Sequence, residues 1–263
     1  IYDDGEGVRD TLPFTIEGSG IDMADGETIE KYQNFNYMVE IDPREAVAVR
    51  KQYNWGRQPF EGGVVMPDNK TVYLGADNTP GIFTKFVADE AGDFTVGTTY
   101  FYKQDSEDKW IEIDNSDLDV MLHFQDYAIA NGATMFNRLE WVVYNEEDGN
   151  VYITETGRDN PAARWNDELA DGGVFPRHHV VRANNQFASG PDDLTYADYY
   201  GRVLKFDVST NEFSTHIEGG PNFGADVSEE DYPSTHLSNP DGLGFITIDE
   251  VTYMLICEDL NGT

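Results

Sequence analysis

Three segments of this chain place acidic residues in one recurring order: a carboxylate, an apolar run, a tight acidic turn, a Tyr twelve positions on, and a second carboxylate just beyond. The copies are Glu61…Tyr73…Asp77, Glu140…Tyr152…Glu155 and Asp241…Tyr253…Glu258-Asp259. One local unit used three times carries its acids to equivalent places, and converging carboxylates are what a hard metal ion requires. The competing reading is that Asp and Glu at strand ends satisfy turn amides. Arg138 stands two residues before Glu140 in Phe136-Asn137-Arg138-Leu139-Glu140-Trp141, and alternate residues of an extended strand face the same way. A guanidinium beside a carboxylate cage suits a phosphate held bidentately while metal ions polarise it. An Arg–Glu ion pair on a strand face is the alternative.

The elements that would position these groups are strands. Gly63-Val64-Val65-Met66 and Thr71-Val72-Tyr73-Leu74 flank the turn cluster Pro67-Asp68-Asn69, which predicts a hairpin. Trp141-Val142-Val143-Tyr144 and Val151-Tyr152-Ile153-Thr154 repeat it around Asp148-Gly149, and residues 244–248 and 251–255 repeat it around Asp249-Glu250. Two of the hairpins are followed by a strand closing on Lys-Phe, at residues 81–86 and 201–206. Strand, turn, strand, loop, strand, turn, strand is one propeller blade. The fold class expected is therefore all-β, an irregular β-propeller with long loop insertions and at most one or two short helices. The helix candidate is Leu118 to Asn131, with its cap signal at Asn115-Ser116-Asp117. Blades run about 40–50 residues, so the wider spacing from Glu61 to Glu140 to Asp241 implies irregular blades or insertions. Residues 157–198 lack periodicity and read as a long insertion within a single domain spanning 1–263. That domain is expected to be part of a longer chain, since the third blade is unfinished and the chain begins at Ile1 rather than Met.

Composition limits the partners. With 50 acidic against 17 basic residues, the formal net charge of −33 makes nucleic acid and anionic membrane poor partners. Self-repulsion on that scale calls for salt or bound cations, and runs such as Glu146-Glu147-Asp148 read as a solvated acidic shell. No apolar run is long enough to span a membrane. Cys257 is the single cysteine, which rules out an internal disulfide; in Met254-Leu255-Ile256-Cys257 a buried thiol is expected, with a metal ligand as the alternative. His178-His179 sit in the insertion, and His123, His216 and His236 are isolated, though His236 is near enough to Asp241 to support a ligand. The chain has no Gly-x-Ser-x-Gly, P-loop or Cys-x-x-Cys motif.

At these residues the chain resembles the PhoX-type alkaline phosphatases. Val39-Glu40-Ile41-Asp42-Pro43 is similar to that family's Glu-Val-Asp-Pro strand end, and Gly56-Arg57-Gln58-Pro59-Phe60-Glu61-Gly62 to its Gly-Arg-Phe-x-His-Glu segment. Arg138-Leu139-Glu140-Trp141 is similar to its Arg-Pro-Glu motif, Asn239-Pro240-Asp241-Gly242 to its Pro-Asp-Asn segment, and Glu258-Asp259 follows in the same order. The resemblance implies a secreted or periplasmic propeller that carries calcium and iron and hydrolyses phosphate esters. It further implies Glu61, Glu140, Asp241 and Glu258 as metal ligands, with Arg138 and Glu140 in catalysis and Arg138 contacting the phosphate. The chain departs from the family at Phe60 and Leu139, which replace a His and a Pro. The iron-ligating Cys of the family lies upstream of the matched residues, and Cys257 does not replace it. A non-catalytic, calcium-binding propeller on a cell surface is the alternative, and a one-calcium propeller lactonase is a third reading.

Overall fold

The computed structural model describes residues 9–157, 200–220 and 236–259. The insertion expected at 157–198, with His178-His179, lies outside the described residues apart from Gly157. Each hairpin forms where its turn chemistry predicts. Strands β1 (Pro13–Thr15) and β2 (Thr28–Glu30) pair with each other, as do β3 (Val39–Asp42) and β4 (Val47–Lys51). A meander then runs through β5 (Phe60–Val65), β6 (Thr71–Ala76), β7 (Gly81–Glu90), β8 (Asp93–Tyr102) and β9 (Trp110–Ile113). After helices α1 (Leu118–Leu122) and α2 (Phe124–Ala130), strand β10 (Met135–Phe136) pairs with the start of β7, at Gly81 and Ile82. The next four-stranded meander is β11 (Leu139–Asn145), β12 (Asn150–Glu155), β13 (Arg202–Asp207) and β14 (Glu212–Glu218). A two-stranded sheet, β15 (Pro240–Ile248) with β16 (Val251–Glu258), follows.

This is the expected all-β, blade-like architecture, with two short helices among the described residues; none of the sheets that the described residues form closes on itself. The helical pair between β9 and β10 accounts for the wide spacing of the first two repeats. The expected single helix divides at His123, whose backbone (φ −111°, ψ 25°) ends α1 and begins α2. The bend lets Leu122 join the cluster of Ile16, Ile21 and Tyr53 while Met121 and Phe124 enter the one beneath β7. Asp117 caps α1 by accepting from the Asp119 and Val120 amides.

Turn residues explain the hairpins. Asp68 Oδ1 accepts from Lys70 and Thr71 N–H at 2.9 Å each, an Asx turn that closes β5 onto β6. Asp249 and Glu250 both take positive φ (50° and 64°), as a two-residue mirror-image turn demands. Between the two meanders lies the aromatic core. Phe83, Tyr73, Tyr102 and Trp110 from the first meet Phe206 and Phe213 from the second at centroid separations of 5.1–6.0 Å. Cys257 is exposed rather than buried, because β15 and β16 form a sheet of only two strands whose outer face is uncovered among the described residues. No described helix is long and apolar enough to cross a membrane.

Candidate metal centre

The three leading carboxylates share a backbone device that the sequence pattern conceals. In each hairpin the ladder slips by one residue near the start of the first strand: between Phe60 and Gly62, between Leu139 and Val142, and between Pro240 and Leu243. Glu61, Glu140 and Asp241 lie within these bulges, which free a residue from the ladder and re-aim its side chain. The carbonyl two residues before each acid accepts an N–H from the far end of the second strand. Pro59 O takes that of Asp77 at 2.8 Å, Arg138 O that of Thr156 at 3.0 Å, and Asn239 O that of Asp259 at 2.8 Å. Asp77, Thr156 and Asp259 are therefore the equivalent positions. Arg138 and Asn239 reach this geometry with positive φ (65° and 48°), a conformation that is uncommon for non-glycine residues.

Adjacent hairpins are drawn together by glycine and threonine. A Cβ on Gly62 would stand 2.4 Å from Glu140 O and 2.6 Å from Val142 N, so only glycine lets β5 approach β11 this closely. The Trp141 N–H, displaced by its bulge, donates to Thr154 Oγ1 at 2.9 Å, and Thr154 Oγ1 donates to Asp241 O at 2.5 Å. Thr156 Oγ1 donates to Pro240 O at 2.8 Å, fixing the third hairpin to the second.

As a result Glu61, Asp77 and Glu140 each present a carboxylate oxygen within 4.8 Å of the others. Arg138 joins them: its Nε lies 2.9 Å from Asp77 Oδ1, and its Nη2 lies 2.9 Å from Glu140 Oε1 and 3.7 Å from Asp259 Oδ2. Glu140 is 3% exposed. Its Oε1 touches Nη2, but the geometry does not make a hydrogen bond, so this buried oxygen lacks a donor. Burial, then the charges of Asp77 and Asp241, push the Glu140 carboxyl up to about 8, with Arg138 pulling the other way. Burial and the charges of Asp77 and Asp241 raise Glu61; burial and the charges of Asp259 and Asp77 raise Asp241. Acids that resist ionisation beside each other, with a donorless buried oxygen among them, fit a hard, oxygen-seeking cation.

Glu258 is not brought into this group. It stands one residue off the facing position, and its Oε1 accepts the Ser238 N–H at 2.7 Å. Glu155 does the same for Asn137 N–H at 2.7 Å and is fully buried against Arg202. Both glutamates hold the residue three before the bulge acid. Asp77 and Asp259 are the second carboxylates that turn toward Arg138; the signal for them was alternation of faces counted from the bulge. His123 pairs with Asp119, and the His216 ring packs on Tyr152. Cys257 lies beside Gly242, where an added Cβ would be 3.4 Å from its Sγ.

A family model described as "Alkaline phosphatase PhoX" matches residues 10–263. Among solved structures, the chain is similar to "Pseudomonas fluorescens PhoX in complex with vanadate, a transition state analogue", with a TM-score of 0.60 and 21% identity. That match covers 90% of this chain and 46% of the other, so the chain spans about half the length of that relative. At this identity the likeness speaks for the fold. No curated protein sequence matches the chain significantly.

Proposed function

The chain belongs to the PhoX alkaline phosphatase family, and from that premise we propose that it carries the cation site of a metal-dependent phosphoric ester hydrolase. The observation that supports this most is the meeting of Glu61, Asp77 and the buried Glu140 within 4.8 Å, with Arg138 on the same cluster. Glu61, Asp77, Glu140 and Asp241 would hold the cation, and Glu258 would hold the Ser238–Asn239 turn that aims Asp241. An oxygen-only donor set suits Ca²⁺, and the hard Fe³⁺ implied by the family resemblance would take the same oxygens. A cation bound there would supply electrostatic stabilisation of phosphoryl oxygens and activation of an oxygen nucleophile.

The chain's own residues do the rest. Arg138 presents a guanidinium from a backbone turned by its positive φ, so its fork stands beside the carboxylates, where a phosphate dianion would gain charge-assisted hydrogen bonds. Glu140, buried and short of a donor, is the acid whose ionised form most needs a cation, which makes it the residue that couples cation binding to loss of a proton. The substrate is then a phosphate ester, and divalent cations are partners. The family's secreted or periplasmic setting suits the acidic surface. The described sheets would form part of one irregular propeller domain.

Turnover of 4-nitrophenyl phosphate with calcium and iron supplied tests this reading. Activity that disappears in Arg138→Gln and Glu140→Gln, with folding intact by circular dichroism, supports it. Cation binding without any turnover would favour a non-catalytic calcium-binding propeller instead.

A further inference from the structure

A cleft of about 290 Å³ opens beside the carboxylate centre, with Pro59 and Asn78 in its wall. Pro59 is two residues before Glu61, and Asn78 directly follows Asp77. Neighbouring Cα atoms are about 3.8 Å apart, and these two wall residues stand one and two residues along the chain from acids of the centre. The wall is tied to the centre: Asn78 O accepts the Arg138 N–H at 3.0 Å and Pro59 O accepts that of Asp77.

This cleft gathers two arginines, with one carboxylate, Asp126, in its wall. Arg9 and Arg57 both line it, in a chain with only 17 basic residues against 50 acidic ones. Both guanidinium groups stack on the same ring, Tyr32, at 4.9 and 5.7 Å from its centroid. Neither has a carboxylate within ion-pair distance among the described residues, whereas Arg50, Arg138 and Arg202 all do. Arg57 is held in place from behind, with Nε donating to Phe35 O at 3.0 Å and Nη2 to Tyr32 O at 3.3 Å. Gln58, in the same wall, is 2% exposed, and its Oε1 has no donor.

Other described cations, among them Arg44, Lys51 and Lys85, also lack a carboxylate partner, but Arg9 and Arg57 share one ring and one cleft. Two guanidinium groups gathered in one cleft suit an anion that arrives from outside. We propose that Arg57 and Arg9 form a leaving-group subsite, which takes a second anionic group, such as a carboxylate, carried by the alcohol portion of the phosphate ester. The inference rests on the phosphatase reading above and adds a substrate class to it: esters of anionic alcohols. Local guanidinium charge offsets the repulsion that the surrounding acidic surface imposes on such a doubly anionic molecule.

The test compares 3-phosphoglycerate with glycerol 3-phosphate, which differ by a carboxylate in place of a hydroxymethyl group. The expected preference in kcat/KM for the carboxylate ester is about tenfold, the ratio one charge-assisted contact supports, and it is expected to reside in KM. Arg57→Gln brings the ratio near one. Because Arg57 also braces residues 32–35, Arg9→Gln is the second variant: among the described residues the side chain of the exposed Arg9 makes only its stacking contact, and its loss lowers the ratio without a fall in melting temperature. Turnover of both esters at equal efficiency by the unmodified protein, or a ratio unchanged in both variants, overturns the subsite and leaves the phosphatase reading standing. Absence of turnover on both esters overturns the phosphatase reading, and the subsite with it.

Discussion

Replacing Glu140 by Gln separates the cost of the carboxylate centre from its use. Gln keeps the shape and an oxygen that Arg138 Nη2 can approach at the observed 2.9 Å, but it cannot ionise. In the cation-free protein the Glu140 carboxyl titrates at about 8 against an ordinary value of 4.5. A group whose pKa rises on folding contributes stability below its unfolded value and loses it as pH rises through the folded one. Folding at pH 7 must therefore take up nearly one proton, and at about 1.4 kcal/mol per pH unit the loss between pH 4.5 and 7 is roughly 3 kcal/mol. Urea unfolding in chelator is the assay, with wild type and variant compared at pH 5 and pH 7 so that repulsion among the remaining acids cancels. Glu140→Gln should gain up to about 3 kcal/mol at pH 7 and far less at pH 5. With calcium at a thousand times its dissociation constant the wild type should gain about 4 kcal/mol, the variant little, and the order of stability reverses. If the variant is destabilised equally with and without calcium, or gains as much at pH 5 as at pH 7, the reasoning about the centre is wrong.

Other perturbations probe its supports. Gly62→Ala should cost about 1–3 kcal/mol by pushing β5 off β11 and weaken calcium binding in titration calorimetry; unchanged affinity would show that the close approach is not what assembles the site. Burial opposes the Asp148 charge, but hydrogen bonds from Lys205, Asn150 and Tyr152 outweigh it and hold this carboxyl at about 2. Its contribution is thus present above about pH 4 and lost as pH falls toward 2. Asp148→Asn should lower stability by no more than about 1 kcal/mol at pH 7 for so solvent-screened a pair, with the difference vanishing in acid denaturation near pH 2. The net charge of −33 predicts a melting temperature that rises between low salt and 1 M NaCl in chelator; a flat profile would mean that self-repulsion is not limiting.

Much of this arrangement was legible in the sequence because strands alternate and turns have a chemistry. The hairpins, the four-stranded meander through Lys205-Phe206 and the convergence of Glu61 with Glu140 all follow from local patterns. What the pattern hid was register. The constant Tyr spacing is a true equivalence in the first two copies, where Tyr73 faces Val64 and Tyr152 faces Val143, each three residues past its acid. In the third, Tyr253 faces Ile246, five residues past Asp241, because that hairpin is one residue pair longer. Tyr73 and Tyr152 are buried, whereas Tyr253 is 49% exposed. A one-residue bulge likewise decides which of two neighbouring acids faces the centre, which is why Asp259 reaches Arg138 and the adjacent Glu258 grips Ser238. The division of the helix at His123 and the exposure of Cys257 depend on which neighbours pack against them, which local periodicity does not encode.

The cation proposed for these acids would serve phosphate ester hydrolysis. The most direct measurement is metal content by elemental analysis after exhaustive dialysis, with turnover of 4-nitrophenyl phosphate read on the same samples of wild type, Glu61→Gln and Glu140→Gln. Both variants are expected to lose bound metal and turnover together while remaining folded. Retention of the full metal complement and activity in both variants would contradict the proposed role of these acids.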